Sequence, residues 1–286
     1  MAGSYSERQS LIGLLTGKAV RQAISAMDLP KGSIGLDAGC GIGTHSLWLA
    51  EETGPEGKII GVDLSSENLA YAIKAAKENG LSHRVKFLRQ DLRRLSIPLH
   101  SVDYVWCADT LWPVPGMNPL AVIKKFRRAV RPGGRIGLLF WSAQVLLPGY
   151  PMLEAHLNLA QARANPYLHN VSPSLHFLRA LGWLRSAHLV GIGMKSFVAE
   201  ISAPLSGEKR KAIACCLSML WGHLESGVSG MDWAQFQNLS DPESGDCLYD
   251  QPDYCALIVY TLFHARAPVP GQPQEMIKAS VLKAGN

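Results

Sequence analysis

A chain of 286 residues, 47% hydrophobic and 18% charged, carries enough apolar side chain for a full buried core, which excludes an intrinsically disordered protein. Its 28 basic and 23 acidic residues leave a net charge of +5, too small an excess to require a nucleic-acid partner. Six cysteines without any C-x-x-C spacing speak against a zinc site or a disulfide framework and for free thiols in a reducing compartment.

Ser6-Glu7-Arg8-Gln9 has the form of a capping box, and Leu11, Leu15, Ile24 and Met27 follow at helical spacing. A helical cap over residues 1–30 is expected. This end shows no basic region followed by a sustained apolar one, and the apolar stretch around Ile136 to Leu147 is broken by Ser142 and Gln144 and is short for a bilayer. The expectation is a soluble, cytoplasmic protein with no stable membrane insertion.

Next, the apolar run from Ile34 empties into Asp37-Ala38-Gly39-Cys40-Gly41-Ile42-Gly43 and then into an apolar helical pattern. That order reads as strand, tight turn and helix N-terminus. Glycine backbone takes positive φ and lets a ligand come close, while free N–H groups at a helix start favour electronegative atoms. The turn reads as a nucleotide-type cofactor site. A dinucleotide fingerprint, G-x-G-x-x-G/A, would need a small residue where Thr44 stands. A second run, Lys58 to Val62, ends in Asp63, at about the 20-residue spacing or slightly more where doubly wound folds place a ribose-binding acid. Ser65 can cap a helix through Leu69, Ile73 and Ala76 that ends at Asn79-Gly80. A third run, Val85 to Gln90, ends in Asp91-Leu92, and a fourth, Val102 to Cys107, ends in Ala108-Asp109.

With these four runs in place the chain resembles the class I S-adenosylmethionine-dependent methyltransferases. The resemblance rests on Asp37 to Gly43, Asp63-Leu64, Asp91-Leu92 and the turn Arg131-Pro132-Gly133-Gly134 into the run Arg135 to Phe140, and it covers residues 30–143 well. It implies a Rossmann-like α/β fold, a mostly parallel seven-stranded sheet with helices on both faces, and S-adenosylmethionine as cofactor. It implies that the acidic glycine loop (Asp37, Gly39, Cys40, Gly41, Gly43) holds the methionine part of the cofactor. Asp63 and Leu64 then meet the ribose side, Asp91 and Leu92 the adenine, and Ala108 lies after the fourth strand.

Leu120, Val122, Ile123 and Phe126 make a helix that Arg131-Pro132 stops. Its basic cluster, Lys124, Lys125, Arg127, Arg128 and Arg131, reads as a solvated face with favourable dipole interactions rather than an RNA- or membrane-binding patch. Residues 31–145 are therefore expected to form the cofactor-binding core, and 146–286 the rest of a single fold with substrate-covering insertions. Within the latter, the 145–172 stretch, with Tyr150 and Tyr167, reads as loop plus helix, and Ser174 to Trp183 as helical. Phe197 to Ile201 and Ala256 to Phe263 read as strands, which the resemblance makes an antiparallel edge pair. Between them lie a helix from Glu208 to about Leu224 and an irregular segment from Ser226 to Asp253 whose aromatics form either a lid or added core.

Ligands of open α/β sheets bind beyond the carboxyl ends of the strands. That rule selects Asp109, Thr110 and Trp112 after the fourth strand and Trp141, Ser142 and Gln144 after the fifth; Asp109 is expected to orient or deprotonate an acceptor, and Trp112, Trp141 and, from the covering segment, Tyr150 to contact it. Each tryptophan serves equally as core packing. Methyl transfer is an in-line displacement that gains most from alignment and exclusion of water, so no metal and no catalytic triad is expected among the nine histidines. The sequence points to transfer onto a small molecule. It leaves open methylation of a macromolecule, a nucleotide-linked oxidoreductase, or a cofactor-binding protein without catalysis, and it does not give an oligomeric state.

Overall fold

The computed structural model describes residues 4–112, 116–165 and 171–271; Tyr167 and residues 272–286 of the sequence-based reading lie outside them. The N-terminal helix, α1, runs Tyr5–Ala26. Its capping box is formed by Ser4 and Glu7 rather than by Ser6 and Gln9. Glu7 N–H donates to Ser4 Oγ at 3.3 Å, and Ser4 N–H donates to Glu7 Oε2 at 2.7 Å. Helical backbone already begins at Tyr5, so the flanking serine is Ser4.

Alternating units follow in the expected order: β1 Ile34–Ala38, α2 Thr44–Thr53, β2 Lys58–Asp63, α3 Ser66–Glu78, β3 Val85–Arg89, β4 Val102–Ala108 and α4 Pro119–Ala129. Ser65 caps α3 by accepting the Asn68 N–H at 3.2 Å, and Gly80 beyond its end takes φ +70°. Strand β5, Val130–Val145, absorbs the Arg131–Gly134 turn as an irregularity: β4 Val102 is opposite Val130, but Tyr104 is opposite Arg135. Then come α5 Pro151–Ala164, α6 Ala180–Ser186, β6 Val190–Ser202, α7 Gly207–Trp221, α8 Gly230–Ser240 and β7 Cys255–Arg266.

Three boundaries differ from the sequence reading. Residues 174–183 are two 3-10 turns leading into the short α6, with the Trp183 indole N–H folded back onto the Ser174 carbonyl at 2.7 Å. Strand β6 starts at Val190, well before Phe197, because glycines at 191 and 193 mask its strand pattern. The segment taken as irregular contains α8, capped by Ser229 accepting the Asp232 N–H at 3.1 Å.

The seven strands form one sheet in the order β3-β2-β1-β4-β5-β7-β6, and β3, β2, β1, β4 and β5 pair in parallel. Gly134 bonds Ala267 and Ser142 bonds Val259, so position falls along β7 as it rises along β5. By the same logic Gly193 lies against His264 and Ser196 against Thr261, and β6 with β7 is the antiparallel edge pair.

The chain divides into two compact units. One comprises residues 21–112, 116–140, 172–196 and 261–271, and its core joins Leu36 and Ala38 of β1, Val105 and Cys107 of β4 and Ile136 and Leu138 of β5 to Phe126 of α4 and Leu184 of α6. On the opposite sheet face of this unit, Asp37 and Trp106 meet Ser46 and His45 of α2, so helices cover both faces. The other comprises residues 4–20, 141–165, 171 and 197–260. In it α5 packs on α7 and α8, with Trp221 and Phe236 edge-to-face at 6.1 Å and Tyr249 buried.

Candidate cofactor-binding site

The glycine turn is held from behind by β2. The Val62 carbonyl accepts both the Gly39 N–H, at 2.8 Å, and the Cys40 N–H, at 2.9 Å. Gly39 has φ +80°, and a Cβ there would lie 2.3 Å from Thr110 Oγ1, so only glycine lets the turn close over the end of β4. Gly41 is different: it needs φ +51°, but a Cβ on it would meet nothing within 4 Å, so its outer side opens on free space. Gly43 ends the turn with φ +83° and leads into α2, whose N-terminus has no side-chain cap. The first N–H groups of that helix have no carbonyl one turn back, and the helix dipole favours electronegative atoms there.

The acids of the turn face in two directions. Asp37 is buried and points inward, its Oδ2 accepting the Ser46 hydroxyl at 2.6 Å. Burial pushes its pKa up to about 7, against the Ser46 hydrogen bond, with the Asp63 charge adding to the rise. Asp63 faces the turn: Oδ2 accepts the Gly41 N–H at 2.9 Å and Oδ1 accepts the Ser65 N–H at 2.8 Å. An ionised carboxylate has about four acceptor directions, so two remain for hydroxyls. Leu64, next in sequence, is 55% exposed, an apolar surface at the carboxyl end of β2.

Asp91 caps the 3-10 turn Leu92–Arg94 and is clasped by Arg93. The Arg93 N–H reaches Oδ1 at 2.8 Å, Nε spans both oxygens at 3.0 and 2.9 Å, and Nη2 reaches Oδ2 at 2.7 Å. These bonds hold the Asp91 carboxyl below the usual carboxylate range. Leu92 is buried, with its N–H at the start of that turn.

At the end of β4, Ala108 is buried, and its carbonyl accepts the Thr110 hydroxyl at 2.7 Å. Asp109 takes φ +46°, a left-handed conformation Asp tolerates better than most residues, and its carbonyl accepts the Trp112 indole N–H at 2.8 Å. The Trp112 ring packs edge-on against Phe140 at 6.0 Å and Phe177 at 5.1 Å. In the other unit Trp141 donates to Gln144 Oε1 at 2.8 Å and leans on Tyr260, while Tyr150 precedes α5.

Two thiols and a histidine nearby are chemically quiet. Burial, reinforced by Asp37 and Asp63, raises the Cys40 thiol far out of the reactive range, so Cys40 shapes the turn from inside. Burial likewise raises Cys107. It lowers His45 to about 4, and the neutral ring accepts the Trp106 indole N–H on Nδ1 at 3.4 Å. Among the described residues no group of three or more His, Cys, Asp or Glu could hold a metal. Arg93, the clasp of Asp91, had no signal in spacing; Thr110 is selected by its place after the fourth strand, but only three-dimensional contact shows it as the seat of Gly39.

The site residues fit a nucleoside-bearing cofactor: an open glycine at Gly41, a carboxylate with spare acceptor directions at Asp63, an exposed apolar side chain at Leu64 and an uncapped helix N-terminus at α2. Residues 36–134 match the family model described as methyltransferase domain. The chain is 34% identical over 133 residues to a demethylmenaquinone methyltransferase of Geobacillus stearothermophilus, across 46% of this chain and 55% of that protein. It thus spans little more than half the length of that relative. Among solved structures it resembles a SAM-dependent methyltransferase from Aquifex aeolicus, with TM-score 0.51 and 15% identity over 93% of this chain and 100% of that one. It also resembles geranyl diphosphate methyltransferase in complex with SAM, with TM-score 0.51 and 18% identity over 93% and 92% of the two chains. At such identities the two structures speak to fold alone. Among the described residues no helix is long and apolar enough to cross a membrane.

Proposed function

We propose that this chain, which carries a methyltransferase domain on the class I methyltransferase fold, transfers a methyl group from S-adenosylmethionine to a small-molecule acceptor. The observation that carries this reading is the Asp63 carboxylate, fixed by two backbone N–H groups at the carboxyl end of β2 against a glycine turn that opens on free space.

When bound, the cofactor supplies a methyl group on positively charged sulfur. Asp63 accepts the ribose hydroxyls on its two remaining directions, and Leu64 offers apolar surface beside them. Asp91 accepts from the exocyclic amine of adenine, and Leu92 N–H donates to a ring nitrogen. Gly39, Gly41 and Gly43 bring backbone close to the methionine part, with Asp37 and Cys40 bracing the turn from behind and Ala108 closing the end of β4. Asp109 orients or deprotonates the acceptor, and Trp112 gives it an aromatic wall; Trp141, within β5, and Tyr150, just before α5, are proposed as acceptor contacts on the sequence reading alone. These residues align the reactants and exclude water, which is most of what an in-line displacement needs.

The activity named for the bacterial relative, on demethylmenaquinone, supports a small acceptor with substantial apolar surface. The test is incubation of the protein with methyl-labelled S-adenosylmethionine and a panel of prenylated quinols, prenyl diphosphates, protein and RNA. Label in an extractable small molecule is the expected outcome. Label confined to macromolecules contradicts the acceptor class.

A further inference from the structure

We infer that Arg93 is a positioning residue that makes Asp91 a single-opening acceptor and so sets selectivity for an amine-bearing purine; the inference rests on the adenine reading of Asp91. An ionised carboxylate offers about four acceptor directions. Three N–H groups of one residue already occupy most of them: the Arg93 backbone N–H on Oδ1 at 2.8 Å, Nε shared between Oδ1 at 3.0 Å and Oδ2 at 2.9 Å, and Nη2 on Oδ2 at 2.7 Å. With Nε bridging both oxygens, the three donated hydrogens leave about one of the four directions open.

The clasp is itself tied down. The Lys125 ammonium of α4 donates to the Arg93 carbonyl, the Arg94 N–H donates to the Asp91 carbonyl at 2.8 Å, and Asp91 caps the turn between them. A planar guanidinium engaging side-on fixes both the rotation and the ionisation of its carboxylate, which a point-charge ammonium would not do. The remaining oxygen direction therefore has a fixed aim and a full negative charge. An exocyclic amine supplies the one N–H it can take. A 6-oxo purine presents lone pairs to it and is repelled, since a site built to accept a proton donor rejects the analogue that lacks one far more strongly than a pocket that only matches shape.

The experiment is calorimetric titration of the wild type, Arg93→Ala, Arg93→Lys and Asp91→Ala proteins with S-adenosylhomocysteine and with its hypoxanthine counterpart. Arg93 is half exposed, so these proteins are expected to melt cooperatively like the wild type. The expected result is that Arg93→Ala weakens the adenine ligand roughly tenfold, the size of one charge-assisted hydrogen bond, and leaves the hypoxanthine ligand much less affected, so the selectivity ratio collapses. Arg93→Lys should restore charge without restoring the ratio. Equal weakening of both ligands, with the ratio kept, makes the clasp a turn support only and overturns the inference while leaving the adenine reading intact. Unchanged affinity in Asp91→Ala removes the adenine reading itself, and the inference with it.

Discussion

At the scale of single residues, Asp63 and Asp37 stand 26 positions apart in sequence yet divide one turn between them, one facing outward and one inward. Replacing Asp63 with Ala removes acceptors for a ribose and also orphans the Gly41 and Ser65 N–H groups. Affinity for S-adenosylhomocysteine should fall tenfold or more, with stability lowered by about 1–3 kcal/mol. Calorimetry together with urea unfolding reads both, and undiminished affinity would sink the ribose assignment. Asp37 makes a different prediction, because its pKa is raised by burial to about 7. A carboxyl whose folded pKa exceeds its unfolded value gives stability that is fully present below about pH 4 and lost as pH rises through about 7. Asp37→Asn keeps an acceptor for Ser46 and removes the titration. The wild type should therefore lose stability relative to Asp37→Asn between about pH 4 and 7, by a few kcal/mol at most; parallel stability curves over that range would contradict the assignment. The sequence located Asp37 at the strand end but not its direction, since the Ser46 hydroxyl that turns it inward lies on the first turn of α2 and carries no motif.

At the scale of elements, the β1 turn and the end of β4 are fitted to each other through Gly39 and Thr110. Gly39→Ala should cost more than about 2 kcal/mol, from positive φ and from the clash together. Thr110→Gly in the same protein should recover only the clash part, so a double-mutant cycle by urea unfolding should show coupling; strict additivity would mean that the two residues do not meet. The start of α5 is set by another device. The buried Glu154 carboxylate accepts the Leu146 N–H at 3.0 and 3.2 Å and the Leu147 N–H at 3.1 Å. Glu154→Gln loses charge and one acceptor, and should lower stability by about 1–3 kcal/mol, read as a shifted urea midpoint. Elements with local punctuation were legible: α3 has Ser65 before it and Gly80 after it. The α8 helix was not, because its buried side is reduced to Phe236 and Leu239, with Trp233 half-buried beside them and its remaining positions small, polar or exposed. The 174–183 stretch misled for the opposite reason, since its helical spacing is satisfied by two 3-10 turns that the Trp183 indole ties back.

At the scale of the whole molecule, the first four parallel strands were legible because each ends in an acid or a glycine turn, whereas the unit holding α5, α7 and α8 was not, because its core is assembled from helices far apart in sequence. That unit bears on the question left by the aromatic segment before β7. Phe236 and Tyr249 are buried, Trp233 lies 5.4 Å from Phe236, and the Tyr249 hydroxyl donates to the Ser240 carbonyl at 2.9 Å. These are core contacts, so replacing residues 226–250 with a Gly-Ser linker should abolish cooperative unfolding; a cooperative, cofactor-binding but inactive product would instead mark the segment as a lid. The central claim is narrower than any of these: residues 34–92 hold the adenosine and methionine parts of S-adenosylmethionine. Calorimetric titration of the intact protein with S-adenosylhomocysteine and, in parallel, with NADH tests it most directly. Saturable one-to-one binding of S-adenosylhomocysteine with no heat from NADH is the predicted result, and saturation by NADH with none by S-adenosylhomocysteine would contradict it.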